Sequence, residues 1–119
     1  MTKEAPSQIK SVDGNIILTI EDVKLLHYVN VILHLTEASR INLPFTRADS
    51  QKLVKILNEL ETNQPTCLDL GNNKSLILKK EEDKIKATFK TAAYSDIEAE
   101  FEEDQLKTFA EQIKPPLHS

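Results

Sequence analysis

The sequence predicts an α+β protein built by internal duplication, a β-β-β-β-α unit present twice, with antiparallel sheet or sheets and two helices packed on the apolar face. Three observations carry that prediction. Apolar residues alternate through residues 29 to 45 and again through residues 85 to 101, each position lying 56 residues after its counterpart. Each alternating stretch runs into an apolar stripe at helical spacing. The chain's only 2 glycines, Gly14 and Gly71, fall in matching turns upstream of the two stretches.

The elements follow in order. Ile9 to Val12 and Ile16 to Ile20 read as strands around the turn Asp13-Gly14-Asn15, where glycine adopts positive φ without a steric cost. Val29, Val31, Leu33 and Leu35 alternate, and after the turn Glu37-Ala38-Ser39 so do Ile41, Leu43 and Phe45. That pattern is a hairpin with one buried face. Leu53, Ile56, Leu57 and Leu60 then recur at i, i+3, i+4 and i+7, an amphipathic helix that Thr46 to Asp49 can cap and Pro65 must end.

The second copy repeats the plan. Cys67 to Leu70 and Ser75 to Lys80 flank Gly71-Asn72-Asn73. Ile85, Ala87, Phe89 and Thr91 pair with Ile97, Ala99 and Phe101 across Ala92-Ala93-Tyr94, and Leu106, Phe109, Ala110 and Ile113 form the second stripe before Pro115-Pro116. Acidic residues Glu102, Glu103 and Asp104 stand where a helix dipole favours negative charge. The copies span about 8–63 and 66–114 of a single domain covering 1–119, with 1–7 and 117–119 as tails. Four strands with one apolar face are too wide for one helix to cover, so the copies must share a core, as one eight-stranded sheet or two four-stranded ones.

Charge narrows the function. With 15 basic and 19 acidic residues the net charge is -4, which argues against a strong electrostatic hold on nucleic acid or an anionic membrane. In the second half Lys74, Lys79, Lys80, Lys84, Lys86 and Lys90 precede Asp96, Glu98, Glu100, Glu102, Glu103 and Asp104, and a turn around Ala93 in the second hairpin faces Lys90 with Asp96, Thr88 with Glu98, Lys86 with Glu100 and Lys84 with Glu102. The lysines are then neutralised across the ladder. No apolar run approaches the length of a membrane span, and the first residues lack an apolar signal core, so a cytoplasmic setting is expected.

Catalytic and metal motifs are not apparent. The 3 histidines (His27, His34, His118) and single cysteine (Cys67) have no zinc or haem spacing, and two isolated glycines make no phosphate loop. His34 reads as a solvated residue beside Asn42, and Cys67 as a small core residue. Glu98, Glu100 and Glu102 share an exposed strand face, without the burial that raises a carboxyl pKa for acid catalysis. No enzyme activity and no cofactor are therefore expected.

Two β-β-β-β-α units in tandem resemble, in element order, the whirly-type and Pur-type single-strand nucleic-acid-binding proteins. That resemblance implies binding through basic and aromatic residues on or beside the sheet. Here the open face of the first copy offers Asn30, Ile32, His34, Asn42 and Pro44, and aromatic residues are only 5% of the chain, so the stacking platform is missing. Nucleic-acid binding is the alternative.

The main expectation is a non-catalytic module that binds another protein or forms a homodimer. Between its second and third strands the first copy carries about four extra residues within Glu21 to Tyr28. Val23, Leu25, Leu26 and Tyr28 make this connection apolar, and Ile32, His34 and Pro44 lie on the same copy. These seven residues are the candidate partner-binding set.

Overall fold

The computed structural model describes residues 8–22, 28–35, 39–71, 73–92 and 96–113. Eight strands and two helices follow the duplicated order: β1 (Gln8–Lys10), β2 (Ile17–Asp22), β3 (Tyr28–His34), β4 (Arg40–Thr46), α1 (Arg47–Glu59), β5 (Thr66–Gly71), β6 (Lys74–Glu81), β7 (Lys84–Lys90), β8 (Ile97–Glu102) and α2 (Glu103–Gln112). They form two four-stranded antiparallel sheets, β1-β2-β3-β4 and β5-β6-β7-β8, each a simple meander.

Alternation sets the faces. Val29, Val31 and Leu33 of β3 stand opposite Phe45, Leu43 and Ile41 of β4, and all six are buried. Ile85, Ala87 and Phe89 of β7 do the same against Phe101, Ala99 and Ile97 of β8, with Ile97 only partly covered. Gly14 and Gly71, at φ 79 and 78, take the left-handed conformation that their turns need. Between β6 and β7 the loop is only Glu82-Asp83, with Glu82 at φ 59. In the first copy β2 runs to Asp22 and β3 begins at Tyr28, so part of the longer connection extends the ladder, and 23–27 lie outside the described residues.

Helix α1 begins as the sequence predicts. Thr46 Oγ1 accepts the Asp49 N–H at 3.2 Å while Asp49 Oδ2 accepts the Thr46 N–H at 3.1 Å, a reciprocal capping box. Buried Ser50 turns its hydroxyl to the carbonyls of Arg47 and Thr46, so it adds no unsatisfied polar group to the apolar stripe. Helix α2 has no side-chain cap. Its Glu103 N–H donates instead to the Asp83 carbonyl at 3.1 Å, which ties the helix start to the β6–β7 turn.

The sheets are joined reciprocally. Helix α1 packs on β4 and on β5, while α2 packs on β8 and on β1, so each helix covers the last strand of its own copy and the first strand of the other. The helices also touch each other. One hydrophobic cluster results, drawn from both copies and both helices. At its centre a void of about 20 Å³ is lined by apolar side chains including Leu18, Phe45, Leu76, Ala87 and Phe101. It is roomy enough for one water but offers no polar partner, so it should stay dry.

Candidate interaction surface

Two four-stranded meanders expose four strand edges, and an open edge is where a second chain can pair. Two of the four, β4 and β8, are blunted or occupied at some point. Pro44 lies in edge strand β4 and has no N–H to offer, and the Asn42 carbonyl of the same strand accepts Lys74 Nζ at 2.8 Å. On β8 the Glu100 carbonyl accepts the Val12 N–H at 2.7 Å. The segment before β5 continues the pairing with β6 through a parallel bridge between Thr62 and Lys80 and an Asn63 N–H to Lys80 carbonyl bond of 2.9 Å, which lies on the inner side of β5 and leaves its outer edge uncovered.

Strand β1 differs. Ser11 N–H donates to the Ile16 carbonyl at 2.8 Å, and the register continues through Lys10 with Ile17, Ile9 with Leu18 and Gln8 with Thr19. Main-chain groups alternate sides along a strand, so Ser11 and Ile9 face β2 while Val12, Lys10 and Gln8 face away. Val12 uses its outward N–H on Glu100. Gln8 and Lys10 find no main-chain partner on that side among the described residues. Beyond them lies a groove of about 460 Å³ between the strand and α2, with Gln8, Ile9 and Lys10 along one wall and Asp104, Thr108 and Phe109 along the other. Ile9 and Phe109 also belong to the core, so the floor is apolar and fixed.

The groove adjoins an acidic recess of about 350 Å³ lined by Asp83, Glu102, Glu103 and Asp104. Glu103 is saturated: Lys107 Nζ lies 3.0 Å and Lys80 Nζ 3.4 Å from its carboxylate, and its side chain is only 18% exposed. These lysines, Lys107 foremost, hold the Glu103 carboxyl below its ordinary value of 4.5 against the opposing effect of burial. Asp83 pairs with Lys84 at 3.3 Å, which raises the lysine pKa. Glu102 and Asp104 make no ion pair among the described residues.

The Glu103 shift has a direct consequence for stability. A carboxyl whose native pKa is depressed stabilises the fold above its unfolded value and loses that contribution as pH falls through the lowered native one. Urea midpoints should therefore fall more steeply from about pH 5 to about pH 3 in the parent than in Glu103→Gln, which has no proton to take up there. Parallel curves would assign the acid sensitivity to other carboxylates.

The seven residues singled out in the sequence separate into three groups. Val23, Leu25 and Leu26 lie outside the described residues. Tyr28 opens β3 opposite Thr46. Ile32, His34 and Pro44 share the outward face of the first sheet, yet Ile32 is only 5% exposed, opposite Thr19 on one side and Asn42 on the other. His34 is half-buried, with Nε2 3.0 Å from Thr19 Oγ1, and so is Pro44, opposite Asn30. This face is more closed at Ile32, His34 and Pro44 than its alternation suggests. The β1 edge was not among the seven, because its openness depends on where α2 and β8 come to rest.

Cys67 corrects the expectation of a core position. Leu68 and Leu70 face inward, so alternation turns Cys67 and Asp69 outward on edge strand β5, where the thiol is exposed and free. The lysine ladder keeps its expected register: Lys84 opposite Glu102, Lys86 opposite Glu100 and Thr88 opposite Glu98. Lys86 reaches diagonally to Glu98 at 3.3 Å, Lys79 pairs with Glu81 at 3.4 Å along its own strand β6, and Lys90 to Asp96 at 3.0 Å is the pair expected. No group of three or more His, Cys, Asp or Glu residues could hold a metal ion among the described residues. No helix is long and apolar enough to cross a membrane among the residues described.

Fold and surface together define a duplicated α+β architecture in which Gln8 and Lys10, beside α2, have no outward main-chain partner among the described residues. Comparison of the chain with protein-family models, curated proteins and solved structures finds no match.

Proposed function

We propose that the protein is a non-catalytic interaction module that binds another polypeptide, either a different protein or a second copy of itself. The observation that carries this reading is the outer edge of β1, where Gln8 and Lys10 present main-chain donors and acceptors with no partner among the described residues. A strand added there gains hydrogen bonds that are already aligned. The Asp13 carboxyl is held below its ordinary value by Ser11 and the Asn15 N–H, and Glu103 by its lysines, so neither is set up to act as a general acid. A reducing, cytoplasmic setting belongs to the same proposal and accords with an exposed unpaired thiol at Cys67.

The test is the solution mass by light scattering across a wide concentration range, combined with affinity capture under conditions that preserve stoichiometry. A dimer, or a partner recovered in a fixed ratio, is the expected result. A monomer at every concentration with no stoichiometric partner overturns the reading.

A further inference from the structure

Resting on that reading, we propose that the groove between β1 and α2 takes an extended peptide segment of another protein, paired by its main chain with Gln8 and Lys10 and carrying a large apolar side chain beside a basic one. Each part of that description comes from a different wall. The strand wall offers main-chain N–H and C=O groups spaced for an extended chain, and the neighbouring Val12 N–H already makes such a bond with Glu100 of β8. As β1 leaves β8 it opens the space that α2 only partly closes. The floor of Ile9 and Phe109 is apolar and held by the core, so it can bury an apolar side chain without rearranging.

Charge selects the third feature. Asp104 lines both the groove and the acidic recess, and Asp104 and Glu102 lack an ion pair while Glu103 and Asp83 already have theirs. Glu102 lines only the recess and stands opposite Lys84, so the surplus at this end of the groove is the Asp104 carboxylate, which a lysine or arginine would neutralise. A second copy of β1 fits less well, because the apolar residue beside its cation, Ile9, is already buried in its own core.

The experiment uses the full chain and positional-scanning pools of blocked synthetic hexapeptides, read by fluorescence anisotropy. Pools with a large apolar residue and a lysine or arginine are expected to bind, and the corresponding acidic pools to fail. Lys10→Pro removes an N–H that points away from β2 and leaves the β1–β2 ladder intact, so the fold should survive while affinity falls about tenfold or more; Lys10→Ala, which keeps that N–H, should bind as the parent does. Asp104→Lys should reverse the preference towards acidic pools. Should Lys10→Pro not fold, amide exchange in the parent gives the same information: the Gln8 and Lys10 amides should become protected when the selected peptide is added. Equal binding by Lys10→Pro and parent, a preference for acidic pools in the parent, unprotected edge amides or no binding pool would each overturn the groove. A stoichiometric protein partner whose binding survives Lys10→Pro would overturn the groove while leaving the interaction module standing.

Discussion

Phe101→Ala is expected to destabilise the protein by about 3 to 5 kcal/mol and to lower its melting temperature by roughly 10 to 20 °C. Phe101 is 0% exposed, faces Ile85 across the β7–β8 ladder and lines the central void. Truncation there would join a new cavity to the existing one, so the surrounding side chains cannot relax into it without opening space elsewhere. A loss of this size is a large fraction of the 5 to 15 kcal/mol typical of a domain. Urea denaturation followed by circular dichroism measures it. A cost below about 1 kcal/mol would mean that the core around the void repacks freely, contrary to its close packing.

The second large effect concerns the copies themselves. Residues 8–63 alone, although they contain a complete β-β-β-β-α unit, are expected not to fold. In the whole protein α2 packs on β1 and α1 on β5, and the buried residues of both copies form one cluster. Half the chain carries the residues of its own ladder, but a ladder formed from them would leave Leu18, Val31, Leu43 and Phe45 facing water where Leu76, Phe101 and Leu106 should be. Mixing it with residues 66–113 should restore a cooperative transition, visible as sharp dispersed amide resonances. A folded, monomeric 8–63 fragment would show that each copy is an independent domain, and the shared core would lose its meaning.

Much of this architecture was legible in the sequence, for physical reasons that also mark where legibility stopped. Alternation of Val29, Val31 and Leu33 specifies a strand and its buried face because successive side chains point to opposite sides whatever the tertiary fold. The Thr46 cap depends on residues three apart, and its predicted position held. The low polarity of Cys67 suggests a core position, but its place in the alternation Cys67-Leu68-Asp69-Leu70 puts it outside with Asp69. The lysine ladder was right in register and only partly right in pairing, since a long flexible side chain can reach a diagonal carboxylate as readily as the one opposite. Whether eight strands make one sheet or two was not decidable, nor was the exposure of Ile32. The open edge of β1 was least legible of all: main-chain hydrogen bonds are available to every residue type, so only the final positions of β8 and α2 decide which are used.

The contact between β1 and α2 also bears on how the protein is made. A ribosome releases residues 8–10 early and residues 103–112 nearly a hundred positions later. Until α2 emerges, the nascent first sheet has no cover for Ile9, and the bond from Val12 to Glu100 cannot form. Folding is therefore completed after synthesis of the second copy rather than copy by copy, and during that interval the apolar side of β1 stays uncovered.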